Sequence, residues 1–280
     1  MQLRKVTAAS AAVLALALTA TACGSDKKDG GSDDSGSGKI TIGIKIDQPG
    51  LGLKTPDGKF TGFDVDVATY VAKELGYDAK DIVFKETKSA DRETAIERGD
   101  VKFIAASYSI NDERLQKVDF AGPYLLAHQD ILVRADDDSI KSPEDLNSKK
   151  LCSVAGSTSA QNVKDKLAPK AQLQTYGGYS ECLTGLENKV IDALTTDDDI
   201  LAGYASQKEF QGKFKLAGFK MTNENYGIGL KKGDADLKKK INDALTKMVS
   251  DGSWDKAVKD NFGPANYKNE PAPKIGNVVK

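Results

Sequence analysis

The chain has 280 residues, which is enough for two ordinary domains with a cleft between them. Its 40 Lys and Arg residues nearly balance its 41 Asp and Glu residues and leave a formal net charge of −1. This balance argues against a nucleic-acid-binding surface and against a polybasic membrane patch. The expected partners are therefore small molecules or local proteins.

The first 22 residues predict an export signal. Arg4 and Lys5 precede an apolar run from Val6 to Ala22, which is too short and too rich in Ala and Thr for a membrane span. The run ends at LTATACGS, and this resembles the lipobox at which bacterial lipoproteins are cleaved and diacylated at a cysteine, here Cys23. Ala20 stands where a leucine is usual, and the alternative is a secreted protein with a spare thiol.

Residues 24–38 consist only of Gly, Ser, Asp and Lys. This composition buries no apolar area and predicts a flexible segment. We therefore expect residues 23–38 to be a lipidated tether that holds a globular body near the membrane.

The first lobe is expected over residues 39–128. KITIGIKI alternates polar and apolar residues and predicts a strand, whereas QPGLGLKTPDG is predicted as loop from its Gly and Pro content. A helix is expected over GFDVDVATYVAKELG, because Val67, Val71 and Leu75 have helical spacing and Gly76 is a typical C-terminal cap. The next expected elements are a strand at DIVFKE, a helix at DRETAIER and a strand at VKFIAAS.

Strands and helices alternate again over residues 129–224, which predicts a second lobe. Its expected elements are a helical turn at KSPEDL, a strand at KKLCSVAG, a helix at SAQNVKDKL, a strand at QLQTYGG, a helix from YSECLTGLENK and a strand at IDALTTD. YGIGLKKGD predicts a strand that returns to the first lobe, two closing helices complete residues 225–265, and 266–280 form a C-terminal tail. The alternation predicts an α/β fold with a mostly parallel sheet.

Cys152 and Cys182 are the thiols that remain after Cys23. Outside the cytoplasm an even number of cysteines is typical of a disulfide, and the spacing has no metal signature. The alternative is two buried free thiols.

Two arginine clusters lie where a strand is expected to give way to a helix, the place where open parallel sheets bind ligands. In SYSINDER, Arg114 follows a capping signal, and Ser107 and Ser109 end the preceding strand. A guanidinium with neighbouring hydroxyls can hold a carboxylate. The alternative is a surface arginine paired with Glu113 or Asp112.

The other candidate clusters have the same context. Arg92 has Ser89 or Asp91 as a possible cap, and its alternative is an ordinary exposed arginine. The small-residue turn 156–159 offers backbone amides to an anion. Of the acids Asp197 to Asp199, one is expected to hold an ammonium, although a charge run is usually a solvated face. Together these clusters predict a pocket for an acidic amino acid.

These residues, in this order, resemble the solute-binding proteins of polar amino-acid ABC importers, solute-binding protein family 3. The likeness covers roughly Lys39 to Gly263, and its marks are GFDVDVA, SINDER followed by VDFAGPY, AGSTS and IDALTTDD. KIDQPGLGLKTPDG and the two cysteines resemble the glutamate-binding lipoproteins of high-GC Gram-positive bacteria. The resemblance implies a two-lobed periplasmic-binding-protein fold of type II, with two crossovers between lobes built on mostly parallel sheets flanked by helices.

The resemblance also implies a ligand set. It assigns the α-carboxylate to Arg114, Ser109 and Thr158, the α-ammonium to Asp197 and Ser107, and the side-chain carboxylate to Arg92 and Lys45. Ser159 is a further expected ligand-binding residue. Family members often stack an aromatic ring on the ligand from the loop after the first strand, and QPGLGL has none. A buried Arg92 facing a carboxamide would keep an unpaired charge, so glutamate is expected before glutamine, with aspartate second among the acids.

The expected function is extracytoplasmic glutamate binding and delivery to an ABC permease by a monomer anchored to the cell membrane, without metal or cofactor. The lobes are expected to close about crossovers near 127–132 and 223–227. Alternatives are a sensing lipoprotein or adhesin without a transporter, and a binder of glutamine, aspartate or asparagine. An enzyme such as a dehydratase of cyclic amino-acid precursors would need an acid and a base, and the single histidine, His128, lies outside every cluster.

Overall fold

A computed structural model describes residues 38–279. The predicted export signal, Cys23 and nearly all of the predicted tether lie outside the described residues. Within the described part, no helix is both long enough and apolar enough to cross a membrane.

The described residues form twelve strands and eight α-helices in an alternating order. The strands are β1 Ile40–Ile44, β2 Asp47–Gln48, β3 Gly52–Lys54, β4 Phe60–Thr61, β5 Ile82–Glu86, β6 Phe103–Ile104, β7 Val118–Arg134, β8 Lys150–Val154, β9 Gln172–Tyr176, β10 Ala193–Asp197, β11 Phe214–Leu216 and β12 Asn223–Lys231. The helices are α1 Phe63–Glu74, α2 Arg92–Glu97, α3 Asp112–Leu115, α4 Thr158–Asn162, α5 Tyr179–Glu187, α6 Asp198–Ala205, α7 Ala235–Ser250 and α8 Ser253–Phe262. Shorter 3₁₀ turns lie at Ala79–Asp81, Ser89–Asp91, Pro143–Ser148 and Gly263–Ala265, and a π-helical turn lies at Val163–Leu167.

The strands follow the order β5-β1-β6-β12-β7 in one lobe and β7-β10-β8-β9 in the other, with β11 also paired to β7. The pairs β1–β5, β1–β6, β8–β9 and β8–β10 are parallel, whereas β12 and β10 pair with β7 in the antiparallel direction. The expected two-lobed α/β fold is confirmed.

One strand of 17 residues, β7, belongs to both lobes. Asn223, where β12 begins, pairs with His128 of β7, so the two crossovers run side by side. These positions coincide with the crossovers expected near 127–132 and 223–227. The sequence did not predict that the first crossover lies inside one uninterrupted strand.

The expectation that QPGLGLKTPDG is loop is wrong for Gln48 and for Gly52–Lys54, which lie in strands, and correct for the turns between them. Asp47 pairs with Leu53, and Leu53 pairs with Thr61, so β2, β3 and β4 form a small antiparallel sheet. Gly50 has a φ of +83° and Gly58 has the same value, which places the glycines in turns between the paired residues.

Two further elements differ from expectation. VKFIAAS forms a strand only at Phe103–Ile104, because the chain leaves the sheet before Ser107, whose φ is 44°. SAQNVKDKL is α-helical only as far as Asn162 and continues as the π-helical turn.

The two cysteines form a disulfide, with a Cα–Cα distance of 5.7 Å, that ties β8 to α5 in the second lobe. Both residues are fully buried in the hydrophobic core. The prediction of a disulfide is confirmed, and the alternative of two free thiols is excluded.

The C-terminal tail, residues 266–279, packs along the two crossovers. Gly276 N donates to the carbonyl of Gly122 at 2.8 Å, and Val279 exchanges two hydrogen bonds with the Asn225 side chain at 2.8 and 2.9 Å. Glu270 lies 3.0 Å from Nε2 of His128. His128 therefore has a structural partner, and the tail joins the strands that connect the lobes.

Candidate binding site

Side chains from both lobes enclose one cavity at the ends of the strands. Its lining contains seven of the eight ligand residues expected from the sequence. The lining residues are Lys45, Gln48, Ser89, Arg92, Ser107, Arg114, Ser157, Thr158, Ser159, Tyr179, Asp197 and Ile200. Ser109 is buried at 3 % exposure but is not among them.

The cavity is narrow. Its volume is only about 10 Å³. Wider recesses of about 290 and 220 Å³ open beside Arg114 and beside Lys45. A ligand the size of an amino acid can therefore enter only when the lobes separate.

Arg114 joins the two lobes. The Asn111 side chain accepts a hydrogen bond from Arg114 N at 2.8 Å, so the expected capping signal fixes the first turn of α3. The guanidinium donates to the carbonyl of Ser109 at 2.7 Å and to that of Gly156, in the second lobe, at 2.9 Å. It is 6 % exposed and lies 3.7 Å from Glu93. The alternative of a surface arginine paired with Glu113 or Asp112 is wrong.

Arg92 is 2 % exposed, so the alternative of an exposed arginine is also wrong. Its guanidinium lies 4.0 Å from the ring centre of Tyr108 and donates to the carbonyls of Ala106 and Ser107 at 3.1 and 3.3 Å. Its Nε is buried and has no partner among the described residues. Burial, and then the charge of Arg114, lowers the pKa of Arg92 to about 10.

The expected side-chain caps of α2 are absent. Asp91 precedes the helix without a side-chain hydrogen bond to it, because residues 89–91 form a 3₁₀ turn that leads directly into α2. The Ser89 hydroxyl instead accepts a hydrogen bond from Lys45 Nζ at 2.8 Å. Ser89 therefore belongs to the cavity rather than to a cap.

Lys45 is 5 % exposed at the end of the first strand. Burial, and then the charge of Arg92, lowers its pKa to about 7, although Asp47 and Glu86 act in the opposite direction. Within residues 38–279, neither Lys45 nor Arg92 has a carboxylate at salt-bridge distance. This side of the cavity thus offers positive charge that an anion would neutralise.

The second lobe supplies the acidic side of the cavity. Asp197 ends β10; its Oδ2 accepts from the Tyr226 hydroxyl at 2.6 Å and its Oδ1 from the Ser159 hydroxyl at 3.2 Å. Burial, and then the charge of Glu224, raises the pKa of Asp197 above its ordinary value. No group of three or more His, Cys, Asp or Glu residues in the described chain is arranged to hold a metal ion.

The small-residue turn opens α4 as expected. The Ser157 hydroxyl caps the helix by accepting from Ala160 N at 3.1 Å, so Thr158 and Ser159 lie in its first turn. The Thr158 hydroxyl donates to Glu224 at 2.9 Å. Glu224 lies on the second crossover strand, so this bond ties the turn to that strand.

Ser107 is held in its left-handed conformation by buried polar partners. Its amide donates to Asp64 Oδ2 at 2.8 Å, and its hydroxyl donates to Gln48 Oε1. Asp64 is fully buried, which raises its pKa to about 6. These two hydrogen bonds fix the backbone of Ser107 and therefore the orientation of its carbonyl group.

Gln48 and Tyr179 line the cavity but were missed from the sequence. Gln48 ends β2, in the segment after β1 from which members of the resembled family often stack an aromatic ring. The aromatic ring of the cavity instead belongs to Tyr179, the first residue of α5 in the second lobe. An aromatic residue at a predicted helix start, after the glycine pair 177–178, was the available signal.

Three glycines of the second lobe lie directly against the first lobe. A Cβ on Gly156 would be 2.7 Å from Ala90 Cα, and one on Gly203 would be 2.1 Å from the carbonyl oxygen of Pro49. A Cβ on Gly178 would be 2.6 Å from Asp47 Oδ2. The lobes therefore meet closely around the cavity.

Residues 40–264 match the model of the bacterial extracellular solute-binding proteins, family 3. The chain belongs to this family. Its location is accordingly extracytoplasmic, and its role is the binding of a solute and not catalysis, as expected from the sequence.

Named members of family 3 include close relatives of the chain. It is 49 % identical to the glutamate-binding protein GluB of Corynebacterium efficiens, over 93 % of this chain and 91 % of that one. It is 40 % identical to the ABC transporter glutamine-binding protein GlnH of Bacillus subtilis, over 83 % and 84 % of the two chains. Among solved structures, an ancestral arginine-binding protein bound to arginine matches with a TM-score of 0.75 and 36 % identity, over 81 % of this chain and 99 % of that chain.

Proposed function

We propose that this protein binds glutamate in the cleft between its lobes and delivers it to the permease of an ABC importer. The observation that carries the proposal is a second buried cationic centre, Arg92 with Lys45, beside Arg114. One arginine is enough for the α-carboxylate of any amino acid, whereas a second carboxylate needs a cation of its own. The 49 % identity to a glutamate-binding protein supports the same reading.

The α-amino-acid group is assigned to residues from both lobes. Arg114 binds the α-carboxylate, with Ser109 and the first turn of α4 at Thr158 and Ser159 supplying further donors. Asp197 accepts from the α-ammonium and is aided by Ser107. The support is that Arg114 and Asp197 line one cavity with opposite charges.

The side chain of the ligand is assigned to Arg92 and Lys45. A carboxylate would pair with the Arg92 guanidinium, whose Nε has no partner among the described residues, and with Lys45 Nζ. A carboxamide in the same place would leave buried positive charge unpaired at a cost of roughly 3 kcal/mol. Glutamate is therefore expected to bind more tightly than glutamine.

Ligand binding favours the closed arrangement because the ligand contacts both lobes. Arg114 already reaches Gly156 across the cleft, and Thr158 donates to Glu224 on the second crossover strand. The two adjacent crossovers, β7 and β12, are the elements that must flex. The permease would distinguish loaded from unloaded protein by this closure.

The proposal extends to the organisation of the chain. An export signal at 1–22 is removed, a lipid on Cys23 anchors the monomer, and a tether at 23–38 carries it. The lobes comprise residues 39–128 with 225–265, and 129–224, followed by the tail 266–280. Metabolic labelling with a fatty acid tests the anchor, because Cys23→Ser is expected to abolish labelling and release the protein from the membrane.

Calorimetry with glutamate, glutamine, aspartate and asparagine tests the ligand. We expect glutamate to bind most tightly, and Arg92→Leu to weaken glutamate binding about 100-fold while changing glutamine binding far less. Arg98→Leu, an exposed arginine that follows the same helix, is the matched control and should change neither affinity. Equal affinities of the unmutated protein for glutamate and glutamine would refute the assignment.

A further inference from the structure

The hydroxyl of Tyr226 lies between two buried carboxyl groups. Its oxygen is 2.6 Å from Asp197 Oδ2 and 2.9 Å from Asp199 Oδ1. Both distances are those of hydrogen bonds, and each bond requires a hydrogen between its two oxygens. Tyr226 supplies one hydrogen. Both contacts are satisfied when a second hydrogen resides on Asp197 or Asp199, in which case the pair holds at least one proton.

The contacts favour Asp199 as the protonated member. The 2.6 Å contact to Asp197 has the length of a hydroxyl bound to a charged carboxylate, whereas 2.9 Å is a neutral length. Asp199 is 1 % exposed; its Oδ1 accepts one backbone hydrogen bond, from Ile200 N at 2.7 Å, and its Oδ2 is buried without a partner among the described residues. Asp197 instead lines the cavity, where a ligand can supply donors.

The surroundings make a further negative charge costly. Asp198 accepts hydrogen bonds from His128 N, Asp199 N and the Tyr267 hydroxyl, and Glu224 accepts from the hydroxyls of Thr158 and Thr222. Within residues 38–279, none of these carboxyl groups has a lysine or arginine at salt-bridge distance. The neighbouring phenols are Tyr124, whose hydroxyl donates to Asp64, and Tyr179. Burial, and then the charges of Asp197 and Asp198, raises the pKa of Asp199 well above its ordinary value.

We propose that Asp199 is a positioning residue for ligand binding: as a neutral carboxylic acid it donates to Tyr226, so that the Tyr226 hydroxyl donates to Asp197 and leaves Asp197 as the anion for an ammonium. This inference rests on the proposed role of Asp197. Asp199 itself touches no ligand. Its effect passes through one hydroxyl, which fixes both the orientation and the charge of the ligand-facing carboxylate.

Infrared spectroscopy tests the proton directly, because the carbonyl stretch of a neutral carboxylic acid is separate from that of a carboxylate. At pH 8, above the pKa of about 6 of Asp64, the glutamate-saturated protein should show the band of a neutral acid. Asp199→Asn should remove that band, and Asp138→Asn, an exposed control, should retain it. An Asp199→Asn protein with an unchanged band would overturn the proposal.

Calorimetry tests the positioning. Asp199→Leu should weaken glutamate binding tenfold or more, and Asp199→Asn, which restores an N–H donor to Tyr226, should recover most of that loss. Tyr226→Phe should cause a loss similar to that of Asp199→Leu, and the double variant should lose little more than either alone. Thermal unfolding checks that each variant is folded. An asparagine as damaging as leucine in folded protein contradicts the inference.

The outcomes separate this inference from the proposed function. Suppose that Asp197→Ala abolishes glutamate binding, while the unmutated protein, Asp199→Asn and Asp199→Leu bind glutamate equally well. The proposed site then stands and the positioning role is wrong. If Asp197→Ala leaves binding intact, the ammonium assignment itself fails and the positioning role fails with it.

Discussion

The two lobes contribute side chains of opposite charge to the cavity, and these side chains have different hydrogen-bond partners. The first lobe contributes Lys45, Arg92 and Arg114, whose nitrogens donate to neutral oxygens of Ser89 and of the backbone, while Arg114 Nε also lies 3.7 Å from Glu93. The second lobe contributes Asp197, which is held by hydroxyl groups. Cations bound to neutral acceptors keep their charge available to a ligand. On the acidic side, the proton proposed for Asp199 limits the negative charge and leaves Asp197 as the anion proposed to bind an ammonium.

The residues proposed to bind the α-amino-acid group come from both lobes, whereas those proposed to select the ligand side chain come from one. Arg114 of the first lobe and Asp197 of the second line the same cavity, and their proposed ligand groups occur in every α-amino acid. Arg92 and Lys45 lie in the first lobe alone, so we place the preference for an acidic side chain there. The predictions below test this division.

The largest effect is expected from Arg114→Leu. Removing one partner of a buried, hydrogen-bonded charge pair costs about 3–4 kcal/mol, so glutamate and glutamine should both lose several hundredfold in affinity. Calorimetry measures both ligands, and Lys117→Leu, at an exposed position after α3, is the control. Retained glutamine binding would show that the α-carboxylate is held elsewhere.

The disulfide should affect the stability of the second lobe and not ligand recognition. Replacing Cys152 and Cys182 together by alanine should lower the free energy of unfolding by about 3–4 kcal/mol, because the crosslink closes a loop with a sequence separation of 30. Neither cysteine lines the cavity, so glutamate affinity should change by less than about threefold. Urea unfolding with parallel calorimetry measures the two effects, and a large loss of affinity alone would contradict the separation.

Gly156→Ala should hinder contact between the lobes. Its Cβ would lie 2.7 Å from Ala90 Cα at a φ of +76°, so closure should cost about 1–2 kcal/mol and glutamate affinity should fall roughly tenfold. Gly212→Ala is the matched control, since its φ is +75° and no atom lies within 4 Å of the added Cβ. Small-angle scattering should show less compaction with ligand for the first variant only; equal behaviour of the two would argue that backbone strain is responsible.

The smallest expected effect is the pH dependence caused by Lys45. Its pKa of about 7 should rise when a carboxylate binds beside it, so glutamate binding takes up protons and weakens as pH rises above 7, by at most about tenfold per pH unit. The same depressed pKa means that folding stability increases with pH between about 7 and 10.5. Calorimetry from pH 6 to 8.5 should show a steeper dependence for glutamate than for glutamine, and Lys45→Met should flatten it. A flat profile in the unmutated protein would remove Lys45 from the ligand set.

Local signals made part of this site predictable from the sequence. The Asn111 cap fixes Arg114 within three residues, and the Ser157 cap fixes Thr158 in the same way. Such short-range hydrogen bonds depend on neighbouring residues that a sequence shows directly. The alternation of strands and helices along the sequence likewise predicts the two-lobed α/β fold.

The remainder depended on contacts between distant residues. In the cavity, Gln48 accepts a hydrogen bond from Ser107, which is 59 residues away in the sequence. Asp199 is proposed to act through Tyr226, which is 27 residues away. The β2–β4 sheet was misjudged because glycine and proline in its turns resemble those of an unpaired loop. No local pattern encodes which distant hydroxyl or amide will meet such a side chain.

The C-terminal tail packs against the strands that connect the lobes, so a label on the tail would report lobe movement. It extends beyond the part of the chain that matches the family model, and it is bonded to Gly122 and to Asn225 of the connecting strands. Asn277 is exposed on this segment, so an environment-sensitive dye on a cysteine at that position would lie beside the moving strands and away from the ligand. A dye-labelled cysteine at position 277 would thus turn the protein into a fluorescent amino-acid sensor.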